Sequence, residues 1–310
     1  ISDESLIILY MRFFILKILK VFLLVLVQMS IIQLLVSWRI NGISTTGQDN
    51  WEQTNSRQAE LVFLGNSRCI GSIIPGLFTK KTGVTSINLG ANGQDNFLFF
   101  KRRLERFVIN GNKFPKYVVI VCEPINSTNK QFEQKDRFAR YAFNPSSLNY
   151  PLLEYFEFDF LDYYIPSVAL LRYRRIIDCL LLTNKSTYEK LGYSMFTGSL
   201  CGQKIQEFDT NLVHRDQTVY HKQLVKFKNW VTKNNSKLIG VQLPMLGMRK
   251  LESSIKKNQT LLQKNNIPFI NVFKERLNNC NYFSDRFHPN ENGAKIITIE
   301  ISKEFKKIVK

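Results

Sequence analysis

Leu61-Val62-Phe63-Leu64-Gly65-Asn66-Ser67-Arg68 starts as an unbroken apolar run and ends in a tight polar turn. Four apolar residues in a row fit a strand buried on both faces, and Gly-Asn supplies the backbone freedom that stops it. The turn leaves one hydroxyl, that of Ser67, at the strand's carboxyl end. The strand is read over residues 60–64, the β-branched apolar run at 117–122 is read as another, and 85–89, 237–243 and 268–272 are read as three more. Residues 70–81, 96–108, 219–233, 251–265 and 290–307 carry helical patterns between and after them. Pro75-Gly76 breaks the first of these early. The second carries Lys101, Arg102, Arg103 and Arg106 on its wet side. Five strands alternating with helices predict an α/β fold, a five-stranded parallel sheet with helices on both faces. Sites in such sheets lie at the carboxyl ends of the strands. Ser67, the loop at 90–95 and Glu123 all fall there.

A second stretch bears on chemistry. Ser284-Asp285-Arg286-Phe287-His288-Pro289-Asn290-Glu291-Asn292-Gly293 follows the fifth strand and precedes a helix. A carboxylate three residues before an imidazole can reach the ring and fix its tautomer, leaving the other ring nitrogen to take a proton. The chain has three histidines, His214, His221 and His288, and only His288 has a carboxylate at this spacing in a Pro/Asn/Gly-rich loop. Asp285 and His288 are half of a Ser-His-Asp arrangement, and Ser67 is the candidate for the rest. Cys69 is the competing nucleophile. The serine is preferred because the turn presents it, whereas Cys69 falls in the first turn of the following helix.

The order of these motifs resembles that of the SGNH, or GDSL-like, hydrolase superfamily. Gly65-Asn66-Ser67-Arg68 stands where that family has its Gly-Asp-Ser nucleophile block. Asn88-Leu89-Gly90-Ala91-Asn92-Gly93-Gln94-Asp95 is similar to its second block, whose glycine supplies a backbone oxyanion donor. Asp285-x-x-His288-Pro289 resembles its last block. The resemblance spans residues 58–308 and implies a flavodoxin-like sheet, a catalytic set of Ser67, Asp285 and His288, and oxyanion donors at the backbone of Ser67 and Gly93. The family's third block, Gly-x-Asn-Asp, has no counterpart: Glu123-Pro124-Ile125-Asn126 follows the third strand instead. Asn92 or Asn126 is left as the side-chain donor. The departure moves the resemblance toward membrane-anchored members that modify envelope polymers, such as the D-alanyl transfer protein of teichoic acid and the alginate O-acetylation proteins.

Composition narrows the setting. The chain has 310 residues, 44% hydrophobic and 22% charged, which suits a folded domain. Its net charge of +18 favours anionic lipid, anionic glycan or nucleic acid as partners, or simply makes a solvated basic surface. Nucleic acid is disfavoured, since no zinc-finger spacing, RNA-recognition signature or helix-turn-helix is found. Residues 21–38 read VFLLVLVQMSIIQLLVSW, with no charge, and the apolar run reaches back to Phe13, interrupted by Lys17 and Lys20. That approaches the length of a membrane span. Arg12, Lys17 and Lys20 precede its cleanest part, which puts the N-terminus in the cytoplasm and the rest outside. No small-residue cleavage site follows, so an uncleaved anchor is expected. The five cysteines (Cys69, Cys122, Cys179, Cys201 and Cys280) form no C-x-x-C pair or zinc spacing. Cys122 reads as a buried small hydrophobe.

The expected organisation is a tail and anchor at 1–38, a polar linker at 39–57, and the α/β domain at 58–310. An insertion at about 125–215 breaks the alternation and serves either as a lid or as a helical subdomain. The expected chemistry is acyl transfer through a serine ester, with no metal or organic cofactor. Arg68 either supports the turn or grips an anionic substrate. Two functional classes stay open. One is an extracytoplasmic esterase or O-acyltransferase for acylated envelope glycan, supplied in the transferase case by a membrane-bound acyl donor protein. The other is a membrane-tethered binding or assembly protein that keeps the fold without full activity. High-salt and carbonate washing is expected to leave the full chain with membranes, while a chain beginning near residue 45 is soluble. Release of the full chain by salt alone rules out a spanning anchor.

Overall fold

A computed structural model describes residues 3–42, 58–90, 97–109, 111–123, 192–202, 217–246, 252–272 and 277–309. The chain divides into two compact units, one holding residues 1–45 and 135–183, the other 46–134 and 184–310. In the first unit the described element is helix α1, Asp3–Gly42. Its stretch Tyr10–Ile31 has a mean hydropathy of 2.2 over 22 residues and exposes its apolar side chains. At 1.5 Å per residue it is long enough to cross a hydrocarbon core, a property that signal sequences share. The helix runs on to Gly42, so residues 39–42 are helical and not linker. The remainder of the expected linker lies outside the described residues.

The second unit holds the sheet. Strand β1 is Leu61–Leu64, followed by α2 at Ser67–Ser72 and α3 at Pro75–Thr82. Then come β2 at Ser86–Asn88, α4 at Phe97–Ile109 and β3 at Tyr117–Val121. Beyond the interruption lie α5 at Gln217–Lys233, β4 at Lys237–Gln242, α6 at Glu252–Lys264 and β5 at Phe269–Asn271. A 3₁₀ turn at Cys280–Tyr282 and α7 at Glu291–Val309 close the chain. The strand order is β2-β1-β3-β4-β5 and every pairing is parallel. All five strands read from the sequence are present, each shortened at one or both ends.

Both faces of the sheet are covered, so β1 and β3 are almost wholly apolar, while β2 and β4 also bury the polar Ser86, Asn88 and Gln242. Leu61, Phe63, Val119, Val121, Ile239, Val241 and Ile270 meet Phe78 of α3 and Ile297, Ile301 and Phe305 of α7 in one core. Phe78 joins the two layers through edge-on contacts with Phe63 and Phe305. The alternate residues Val62, Leu64, Val118, Ile120 and Leu238 are equally buried. On that side Phe97 and Phe100 of α4 pack on Phe227 of α5, and a Cβ at Gly240 would meet Leu262 of α6 at 2.7 Å.

The expected break at Pro75-Gly76 divides the 70–81 stretch between two helices, and the first begins at Ser67. Pro75 opens α3, where a missing N–H costs nothing. The N–H of Ile74, left over at the break, donates to Thr298 Oγ1 of α7 at 3.0 Å. Arg103 corrects the surface expected for α4, because it is fully buried. It lies three residues after Phe100 and four before Phe107, on the apolar stripe itself. Of the insertion, only residues 192–202 are described, and the lid reading otherwise lies outside the described residues.

Gly293, in the first turn of α7, sits under the carbonyl of Tyr282, and a Cβ there would lie 2.1 Å from that oxygen. Main chain cannot swing aside. Gly293→Ala is therefore expected to destabilise the domain by about 1–3 kcal/mol, lowering its urea midpoint. An unchanged midpoint contradicts the packing.

Candidate active site

The nucleophile turn is built by close approach. A Cβ at Gly65 would meet Cys69 Cβ at 2.7 Å and Val121 Cβ at 2.9 Å, so only glycine lets β1 turn here. Asn66 then caps α2, its side chain accepting the Arg68 N–H at 2.9 Å. Ser67 becomes the first residue of the helix. Asn88, fully buried at the end of β2, locks the start of α2 in place. Its Nδ2 donates to the carbonyls of Cys69 at 2.8 Å and Ile73 at 3.2 Å, and its Oδ1 accepts the Gly90 N–H at 3.0 Å.

The other half comes from the loop before α7. Ser284 N–H and Oγ both donate to the His288 carbonyl at 3.0 Å, closing the loop, and Leu246 N–H donates to the Arg286 carbonyl at 3.1 Å. Asp285 Oδ1 accepts the N–H groups of Phe287 at 2.7 Å and His288 at 2.9 Å. Its Oδ2 lies 2.8 Å from His288 Nδ1, and His288 Nε2 lies 2.8 Å from Ser67 Oγ. An ionised carboxylate only accepts, so Nδ1 carries the proton and Nε2 accepts the serine hydroxyl. Burial pushes the Asp285 carboxyl up, but the hydrogen bonds from the His288 ring, the Phe287 N–H and the His288 N–H outweigh it and hold Asp285 below its ordinary value. Such an arrangement can move the serine proton onto the imidazole and stabilise the resulting cation.

Cys69 lies in the first turn of α2, as its spacing predicts, and is buried. Burial, followed by the nearby Glu123 charge, drives its thiol far above the ordinary range. A thiol held protonated is a poor nucleophile.

Of the two roles expected of Arg68, the structure shows the supporting one. Arg68 is 3% exposed, and its guanidinium pairs with Glu123, itself 8% exposed. Its Nη2 also donates to the carbonyls of Leu243 at 2.8 Å and Pro244 at 3.0 Å. The side chain is spent on holding α2 to the carboxyl ends of β3 and β4 and is not presented to a substrate. Gly93, Asn92 and Asn126, the oxyanion candidates, lie outside the described residues.

Two features escaped the sequence. Phe196 stacks on the His288 ring, with centroids 4.3 Å apart and planes 21° from parallel. Cys201 is joined to Cys280 by a disulfide, and Cys69 and Cys122 are buried thiols outside any disulfide. The only sequence signals were an odd cysteine count and one phenylalanine out of 24. Among the described residues no group of three or more His, Cys, Asp or Glu side chains is arranged to hold a metal.

No protein-family profile and no curated protein matches the chain. Solved structures with some likeness include a GDSL-like lipase from Bacteroides thetaiotaomicron, 16% identical, covering 89% of this chain and 98% of the other at a TM-score of 0.40. An acetylxylan esterase from Geobacillus stearothermophilus, in a catalytic mutant, is 13% identical over 79% of this chain and 93% of its own, with a TM-score of 0.40. A family two carbohydrate esterase from Clostridium thermocellum, in complex with cellohexaose, is 11% identical over 82% and 66%, with a TM-score of 0.41. At scores this low the likenesses place no residue and assign no activity.

Breaking a buried ion pair strands a charge. Arg68→Met is expected to cost about 3–5 kcal/mol of stability, and Arg68→Met with Glu123→Leu to recover part of it. Urea unfolding of both variants checks this. A single variant as stable as the wild type would show that the pair is not structural.

Proposed function

We propose that this chain is an extracytoplasmic serine esterase or O-acyltransferase of the SGNH, GDSL-like type, held to a membrane by α1 and acting on acyl esters of an envelope glycan. The observation that carries the reading is the continuous chain of hydrogen bonds from Asp285 through His288 to Ser67, with 2.8 Å at each step, joining groups 221 residues apart. The motif order along the sequence supports the family. The Cys201–Cys280 disulfide supports an oxidising compartment. The span at Tyr10–Ile31, with Arg12, Lys17 and Lys20 in its first half, supports a cytoplasmic N-terminus. The net charge of +18 suits an anionic polymer or membrane surface.

In this reading Ser67 Oγ attacks the ester carbonyl while His288 Nε2 takes its proton. Asp285 stabilises the imidazolium. Collapse of the tetrahedral intermediate breaks the ester C–O bond, and His288 returns the proton to the leaving alcohol. Water or a sugar hydroxyl then takes the acyl group from Ser67 by the same steps reversed. In the transferase case a membrane-bound protein supplies the acyl group. The oxyanion is assigned to the backbone N–H groups of Ser67 and Gly93, with Asn92 or Asn126 as side-chain donor, each donor worth roughly 3 kcal/mol of barrier.

One observation favours the runner-up, a tethered binding or assembly protein. Glu123 stands where the family's third block would begin, and its carboxylate is engaged by Arg68. A fluorophosphonate separates the two readings. The full chain in detergent is expected to be labelled at Ser67, and Ser67→Ala or His288→Ala to abolish labelling. Asp285→Asn is expected to slow hydrolysis of an aryl acetate by about 10³–10⁴-fold. Labelling without hydrolysis points to a transferase lacking its acceptor. A folded chain showing neither leaves the binding protein.

A further inference from the structure

The imidazole of His288 is held in its own plane at two points. Asp285 engages Nδ1 and Ser67 engages Nε2, both at 2.8 Å. Both bonds resist rotation of the ring about Cβ–Cγ, and with one of them gone that rotation is restrained at Nδ1 alone. From its own loop the ring meets Phe287 edge-on, with centroids 6.5 Å apart and planes 67° from parallel, a contact that does not cover its face. Phe196 does: its ring lies 4.3 Å from the imidazole and nearly parallel to it.

Phe196 is itself firmly seated. A Cβ at Gly71 would lie 2.3 and 2.4 Å from two carbons of its ring, so the ring rests on the bare backbone of α2, four residues after Ser67. Positions four apart share a helix face, so the ring and the serine lie on one side of α2. Short ties hold the segment on either side of it. Ser194 N–H donates to the Ile70 carbonyl at 3.3 Å, and Leu200 N–H donates to the Phe283 carbonyl at 2.9 Å. Leu200 is buried with Leu246 and Phe283, and the next residue, Cys201, is bonded to Cys280. Residues 194–201 thus form a strap, tied to α2 at one end and to the 3₁₀ turn before the histidine loop at the other.

We infer that Phe196 is a positioning residue for the proposed serine chemistry, holding the plane of His288 through the part of the cycle in which Ser67 cannot. The inference rests on the reading of Ser67 as nucleophile. Once Ser67 is acylated its oxygen has no proton to donate, and the Nε2 tether is lost. His288 must then activate the acceptor with Asp285 at Nδ1, the edge of Phe287 and the face of Phe196 as its described contacts. A ring free to turn at that stage slows deacylation, and misplacement by about 1 Å can cost roughly 10²-fold. A residue that only stabilised the fold would lower the amount of active protein and leave the balance between acylation and deacylation unchanged.

The test is a pre-steady-state assay of the full chain in detergent with an aryl acetate, active sites being counted by fluorophosphonate. In Phe196→Leu, which keeps apolar volume without a flat ring, the burst of phenol per active site is expected to persist. Turnover after the burst is expected to fall by about 10–10²-fold. Phe196→Tyr, which keeps the ring, is expected to restore turnover. Phe196→Leu turning over like the wild type, or losing burst and turnover in equal proportion, overturns the positioning role while leaving Ser67 as nucleophile. A wild type with no labelling and no burst overturns the serine chemistry itself, and the role of Phe196 with it.

Discussion

The carboxyl edge of this sheet closes around a buried arginine. Arg68 follows the candidate nucleophile directly, and its guanidinium is almost wholly removed from water. A bare cation there would cost several kcal/mol. Glu123 supplies the counter-charge from just beyond β3, and the carbonyls of Leu243 and Pro244 supply acceptors from just beyond β4. Both strands must therefore stop at the level of α2. The turn that presents Ser67 is held as much by the residue behind it as by its own cap.

Around that fixed point the remaining parts arrive by different physics. Asn88 brings the end of β2 to α2 through amide hydrogen bonds that leave neither side of its side chain idle. The histidine loop comes by self-closure, since Asp285 accepts two N–H groups of its own turn before it engages the ring. One carboxylate thus shapes the loop and fixes the tautomer, so the loop cannot form without also orienting the base. The strap at 194–201 arrives by covalent and apolar anchorage. It contributes a ring face where hydrogen bonds are of no use.

The fold was legible because its signals are local. A strand covered on both faces is mostly apolar, so five short runs rich in apolar residues named five strands, and the residues between them had the period of helices. The Gly-Asn-Ser turn was legible for the same reason, since the cap at Asn66 acts within two residues, although Gly65 is also required by Val121 on the neighbouring strand. Asp285 and His288 share one turn, and their spacing alone fixes the hydrogen bond between them. The strand ends and the split of the first helix were less sharp, because the orphaned Ile74 N–H at that split is satisfied by Thr298, 224 residues away.

What the sequence determined by itself was the set of elements and the three residues Ser67, Asp285 and His288 as one chemical candidate. The tertiary structure alone decided which groups surround them. By sequence alone Arg68 stays open between supporting the turn and gripping a substrate, and its pairing with Glu123, 55 residues on, favours the first. Arg103 looked solvated among neighbouring cations until α4 was seen turned with that residue on its packed face. Phe196 had no local mark at all, and Cys201 and Cys280 stand 79 residues apart with nothing in either neighbourhood to pair them. Periodicity and turn chemistry record what a residue does for its own segment. Ion pairs, ring stacking and disulfides join segments, and their partners are chosen only when the chain is folded.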